Sequence, residues 1–186
     1  MGIAAGLALA AAAGFRVFVP LLVVSAAAHS GWLEVAPRFE WIAGTPALVV
    51  FSTATVMEIG AYYIPFVDNL LDAIATPAAV LAGIVVSASV LVDLPPWLQY
   101  SIAIIGAGGT AGFVGASTSL LRLKSSAATG GFGNSALATL EMLAAFGAAL
   151  LAVLAPLVAV VLVAAIVAFA VGRFARRFAR RPPLAS

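Results

Sequence analysis

The chain contains no cysteine and a single histidine, His29. Disulfides, thiolate metal sites and cysteine nucleophiles are therefore excluded, and one histidine cannot build the multi-histidine centres that hold metals or haem. No cofactor is expected. Charge is equally scarce, with Asp, Glu, Lys and Arg together at 9% of residues, against roughly 25% in soluble domains. Hydrocarbon takes its place: apolar residues reach 64% and mean hydropathy is +1.18. At about 20 apolar residues per crossing, about five or six helices use nearly all of the chain and leave no segment for a soluble domain. The apolar runs are continuous and rich in Ala, Leu and Val rather than alternating, which excludes a β-barrel. Open sheets fail because lipid cannot satisfy their backbone. The fold class read from the sequence is all-α, a polytopic membrane helical bundle, with one domain over residues 1–172 and a basic tail over 173–186.

Breaks in the apolar runs set the spans. The first covers about 2–28. Ala26-Ala27-Ala28 resembles a cleavage site, yet Met1-Gly2-Ile3 is not basic and Arg16 interrupts the run, so a retained helix is expected. A loop over 29–44 holds Trp32 and Trp41 at belt positions. The second span covers 45–64, and the third about 72–92 before the Asp93-Leu94-Pro95-Pro96-Trp97 turn. The fourth runs to about Leu121, capped by Arg122 and Lys124. A Ser/Thr/Gly-rich loop over 125–134 precedes a long apolar stretch over 135–172, too long for one crossing and breakable only at Pro156. Six crossings follow if Ala155-Pro156-Leu157 is a hairpin; a kinked or re-entrant helix is the alternative. Six crossings gather Arg122, Lys124, Arg173, Arg176, Arg177, Arg180 and Arg181, seven of the nine basic residues, on one side and leave only Arg38 opposite. The positive-inside rule then puts both termini in the cytoplasm, in a cell (inner) membrane.

Three short matches recur in order. Ala13-Gly14-Phe15 matches Ala111-Gly112-Phe113, Thr55-Val56-Met57-Glu58 matches Thr139-Leu140-Glu141, and Thr76-Pro77-Ala78 matches Ala155-Pro156-Leu157. They suggest halves of three helices, 1–93 and 94–186, inverted because each half has an odd number of spans. Chance similarity in an Ala/Leu-rich chain is the competing explanation. Under the repeat, the loop Thr129-Gly130-Gly131-Phe132-Gly133-Asn134 becomes irregular backbone at membrane depth and Asn134 a binding residue. Otherwise it is an ordinary loop with Asn134 or Ser135 as helix N-cap.

The ionisable residues inside apolar runs are the functional candidates. Arg16 lies about 21 Å along the first helix at 1.5 Å per residue, too deep to snorkel to either surface, and Pro20 frees a backbone carbonyl beside it. Glu58 and Glu141 are its available partners. One arginine against two glutamates leaves a carboxylate over, able to bind a proton or cation; a fixed ion pair holding three helices is the plain alternative. Asp68, Asn69 and Asp72 form an acidic group, either a cation-gathering cytoplasmic mouth or a solvated helix start. The string Asp68-Asn69-Leu70-Leu71-Asp72 resembles half of a prenyltransferase diphosphate site, but the second aspartate cluster is missing and Asp93 lies across the membrane. Gly108 and Gly112 form a small-xxx-small pair for close helix approach. Tyr62 and Tyr63 sit at a span end, as belt tyrosines do. The arginine tail, Arg173-Phe174-Ala175-Arg176-Arg177-Phe178-Ala179-Arg180-Arg181, reads as an anchor on anionic lipids rather than a nucleic-acid site.

The run from Glu58 through Asp72, followed by Ala75-Thr76-Pro77-Ala78, resembles a bacterial integral-membrane family catalogued as a domain of unknown function, number four-one-two-six. Ala13-Gly14-Phe15-Arg16 and Thr129-Gly130-Gly131-Phe132-Gly133-Asn134 carry the same resemblance, which spans about residues 1–170. It implies a small bacterial membrane protein and brings no activity, substrate or catalytic residue. The residues themselves favour a small secondary transporter or channel with Arg16, Glu58 and Glu141 at its centre, Asp68, Asn69 and Asp72 at its mouth, and a homodimer or larger oligomer as its working form. A non-transporting scaffold or accessory subunit is the alternative. An enzyme is not expected, since so few catalytic groups are present. On this cysteine-free chain, Lys124→Cys should react with an impermeant thiol reagent only from the cytoplasm and Arg38→Cys only from outside; the opposite pattern reverses the topology.

Overall fold

The computed structural model describes residues 2–64, 67–130, 133–165 and 168, without the side chains of 68–70, 72 and 73. Among these residues every regular element is helical. In chain order they are α1 (Gly2–Phe15), α2 (Phe18–His29), a 3-10 helix (Pro37–Ala43), α3 (Thr45–Ala61), α4 (Val67–Val90), α5 (Pro96–Ser101), a π-helical stretch (Ile102–Ala107), α6 (Gly108–Thr129) and α7 (Asn134–Leu154). A last helix, α8 (Pro156–Ala165), follows the break at Ala155.

The centre of the bundle is α1, surrounded by α4, α6 and α7. Ten of its 14 residues are alanine or glycine, and that is why neighbours come so close. A Cβ on Gly6 would lie 2.5 Å from Ser87 Oγ, and one on Gly14 would lie 2.8 Å from the Ala111 carbonyl oxygen. Gly2 meets Val90, Gly6 meets Ser87 and Ala10 meets Gly83, so α1 and α4 run antiparallel along a stripe of small residues. Gly108 and Gly112 of α6 likewise admit Ile84 and Val80 of α4, each at 3.1 Å from an added Cβ. This is the close-packing role that their spacing predicts.

Large apolar residues point the other way. Val56, Met57, Leu81, Ile105, Leu140, Leu143 and Leu154 are all exposed, while the core is mostly alanine. Small inside and bulky outside inverts the usual soluble arrangement and suits a helical protein whose surface meets hydrocarbon. Trp32, Trp41 and Trp97 are exposed.

Helix length and hydropathy bear out part of the expected span pattern. Two helices are long and apolar enough to cross a membrane, the continuous α5–α6 rod (Pro96–Thr129) and α7. A third is reached if the 3-10 helix and α3, bent by 63°, count as one. Shorter apolar helices are Gly2–Phe15, Phe18–His29, Ile74–Val90 and Pro156–Ala165. The expected first span is split at Arg16 and Val17, because Pro20 has no N–H for the Arg16 carbonyl and its ring crowds that oxygen.

The fourth helix also continues past its expected end at Leu121 to Thr129. Ser125-Ser126-Ala127-Ala128 contains no breaker, and the stop comes at Gly130, in the left-handed conformation (φ 62°) common after helix ends. Arg122 is therefore an interior residue of a helix, not its cap. The N-cap of α7 is Gly133 rather than Asn134 or Ser135, and Asn134 donates through Nδ2 to Ser126 Oγ at 2.8 Å across the turn. Gly131 and Phe132 lie outside the described residues, as does the arginine tail.

A methyl group tests the close approaches. Gly14→Ala must displace the α6 backbone, and we expect a loss of about 1–3 kcal/mol, read as a lower unfolding midpoint in detergent. Gly147→Ala, with nothing within 4 Å of the new Cβ, should be neutral or stabilising by up to about 1 kcal/mol through helix propensity.

Candidate functional site

Each of four helical segments delivers a charged group to one point. Arg16 stands at the end of α1 and is 1% exposed. On α3 the buried positions Ala47, Phe51, Thr55, Glu58 and Tyr62 follow a helical stripe, which carries Glu58 and, one turn later, Tyr62 inward. On α7 the stripe is Asn134, Ala138, Glu141, Ala145, Ala149 and Ala152. On α6 it is Gly108, Ala111, Gly115 and Arg122.

Glu141 is the hub. Arg122 donates to it from both Nε, at 3.1 Å to Oε1, and Nη2, to Oε2, in the two-pronged arrangement that suits a guanidinium and a carboxylate. Arg16 Nη2 lies 3.6 Å from the same Oε2 and donates to the Ala138 carbonyl at 2.9 Å. Arg16 thus meets a glutamate, as a buried arginine requires. Tyr62 supplies an aromatic surface to both cations, whose guanidinium carbons lie 3.8 Å and 4.0 Å from its ring centroid.

Glu58 has a different task. Its Oε1 accepts the Val17 N–H at 2.8 Å and its Oε2 the Phe18 N–H at 3.1 Å. These are orphan donors at the start of α2, where no local side chain caps the helix. A carboxylate there also lies at the positive end of the helix dipole. Arg16 remains within electrostatic reach of Glu58.

Between these groups is a cavity of about 10 Å³ bordered by Gly14, Val17, Glu58, Tyr62, Gly115, Arg122 and Glu141. That volume admits one water molecule. Among the described residues no three His, Cys, Asp or Glu side chains converge.

Of the residues singled out from the sequence, Arg16, Glu58 and Glu141 come together. Asn134 is buried on the same α7 stripe but about 10 Å further along the helix from Glu141. Asp68, Asn69 and Asp72 fall in the first turns of α4, with side chains outside the described residues. Two participants were not foreseen. Arg122, which the sequence places as a cap at the cytoplasmic end of the fourth span, is 2% exposed and paired. It therefore supplies a second cation, and among the described side chains two guanidinia face two carboxylates rather than one facing two. Its signal was its register with Gly108, Ala111 and Gly115, visible once the helix runs to Gly130. Tyr62, grouped with Tyr63 as a belt residue, is buried; Tyr63 alone is exposed, its hydroxyl 2.7 Å from Thr139 Oγ1.

Balanced charge sets the expected mutational pattern. Arg122→Met alone leaves an unmatched buried carboxylate and should cost about 3–5 kcal/mol. Adding Glu141→Leu leaves Arg16 with Glu58, again neutral, and should recover part of that loss. Unfolding midpoints of the two singles and the double, compared as a cycle, give the coupling; additive losses would mean that the pair is not a unit.

Searches of curated proteins and of solved structures each returned no match. The family model described as "Domain of unknown function (DUF4126)" matches residues 3–176, nearly the whole chain and all of the charged cluster, and the protein belongs to that family.

Proposed function

We propose that this chain is a small secondary transporter or channel for a small solute or ion, with its site at the break between α1 and α2. The observation that carries this is a discontinuous apolar helix whose new N-terminus faces a buried carboxylate, beside two buried arginines. Broken helices of this kind put backbone dipoles at the substrate sites of transporters, and ionisable groups enclosed in apolar bundles mark ion and proton routes. Arg16, Glu58 and Glu141 form the centre, joined by Arg122 and Tyr62. Asp68, Asn69 and Asp72 form a cytoplasmic mouth one side of it, and Asn134 lines the approach along α7.

The wider architecture belongs to the same proposal. The protein crosses the inner membrane six times with both termini cytoplasmic, as two inverted halves, 1–93 and 94–186. In support, Gly14 of one matched segment packs against Ala111 of the other, and the matched Glu58 and Glu141 both line the central cavity, as partners near a pseudo-two-fold axis would. The arginine tail rests on anionic lipids, and the working form is a homo-oligomer.

One observation favours a non-transporting scaffold instead: among the described side chains two guanidinia face two carboxylates, and the cavity between them has room for only a single water molecule. Purified full-length protein in liposomes separates the two. Under an imposed potassium diffusion potential, a transporter raises proton or small-ion flux above that of protein-free vesicles, and the Arg122→Met/Glu141→Leu double variant abolishes the increase while remaining folded. Flux unchanged in the double variant moves the site elsewhere; no flux in the wild type favours the scaffold.

A further inference from the structure

We infer that the groove between α6 and α8 holds one acyl chain of an anionic phospholipid, whose headgroup meets Lys124. This site is separate from the charged cluster and does not depend on what that cluster carries.

The groove has a volume of about 440 Å³ and is lined by Leu7 of α1, by Ile105, Gly109 and Phe113 of the π-helical stretch and α6, and by Val160 and Val163 of α8. The π-helical stretch over Ile102–Ala107 departs from regular helix geometry at this point, a departure that recurs at functional sites. Gly109 has no neighbour within 4 Å of where a Cβ would stand, and Gly106 meets only Leu7, at 3.4 Å. Two missing side chains thus leave the space open. Among the described residues Thr110 is the only polar side chain in the lining, and its hydroxyl donates to the Gly106 carbonyl at 2.7 Å. The groove presents hydrocarbon.

Size selects the occupant. An apolar cavity of about 150 Å³ takes one benzene molecule, so this groove has room for about three, or about 18 carbons. That is one long acyl chain. The helix of a second copy, about 10–12 Å across, would enter for about one turn only.

Charge places the headgroup. Phe113, Leu120 and Lys124 are all exposed and, at spacings of seven and four residues, lie on one face of α6. Ser117 lies between them on that face and turns its hydroxyl onto the Phe113 carbonyl at 2.7 Å, which keeps the track apolar. Lys124 stands three helical turns beyond Phe113, about 16.5 Å along the axis. One leaflet of hydrocarbon is half of the roughly 30 Å core, about 15 Å. A lipid in the leaflet on the Lys124 side, with its phosphate against that ammonium, therefore carries the end of its chain to Phe113 and into the groove.

The experiment places the full-length chain in phosphatidylcholine liposomes with a trace of phosphatidylglycerol that carries a photoreactive diazirine at the end of one acyl chain. Cross-linked positions are read by mass spectrometry. Labelling at Phe113 and Val160 should exceed that at Leu140 and Leu143, which are exposed on α7, several-fold. It should also exceed groove labelling by the same diazirine on phosphatidylcholine about five-fold, the discrimination that one basic residue near the surface provides. Lys124→Gln, at an exposed position, should bring the two probes level. Gly109→Leu, whose Cβ enters open space, should remove the groove excess and leave α7 labelling unchanged; if it does not fold, wild type and Lys124→Gln decide. Even labelling of groove and α7 overturns the site, as does an excess that phosphatidylcholine shares or that survives Lys124→Gln. Disulfide-linked dimers of Val160→Cys without lipid labelling assign the groove to a second copy and overturn it too.

Discussion

A guanidinium enclosed in an apolar bundle has to be met by negative charge, and Arg16 is almost wholly enclosed. Meeting that demand organises the protein. Glu141 approaches from α7, but a carboxylate held between two cations is better satisfied than one paired once, and Arg122 completes it from α6. Tyr62 then offers its ring to both guanidinia. The result ties α1, α3, α6 and α7 to one point through contacts whose loss leaves an uncompensated charge, a far steeper penalty than losing an apolar contact. A few polar groups thereby specify the register of helices whose facing surfaces are otherwise almost uniform alanine and glycine.

That uniformity is what allows the charges to meet. Helices lined with alanine and glycine approach until backbones nearly touch, as Gly14 does with Ala111. Such packing relies on van der Waals contact rather than on large buried side chains. It leaves little void, and the central cavity is correspondingly small. The break at Arg16 follows from the same economy. Pro20 removes one backbone hydrogen bond, and the two N–H groups exposed by the break are taken by Glu58, so a discontinuity that would be expensive in hydrocarbon becomes a polar junction. The junction and the charge cluster are one structure, since Arg16 belongs to both.

A membrane-like helical protein with such a junction invites comparison of two physical roles. A closed set of matched charges is stable as it stands and can serve assembly alone. The same set contains one carboxylate, Glu58, whose hydrogen bonds come from backbone donors. Glu141 is held by two side-chain cations, and Glu58 by two backbone N–H groups.

Composition and hydropathy alone were enough to make the protein an apolar helical one, because those are bulk properties that need no partner to be read. Arg16, Glu58 and Glu141 were legible for the same reason: charge is so scarce that each buried instance announces itself. Pro20 marked the neighbourhood of the break, since the missing N–H is a property of the residue. What the chain could not reveal was pairing. Arg122 beside Lys124 looks like a loop charge until α6 is seen to run to Gly130 and turn it inward. Tyr62 and Tyr63 are identical in type and adjacent, and only the angle of α3 decides which is buried and which is exposed. Glu58 capping a helix 40 residues earlier is a contact between distant segments, fixed by how the small-residue faces pack. Individual residues carry their own cost of burial; which group relieves that cost is settled only when the helices come together.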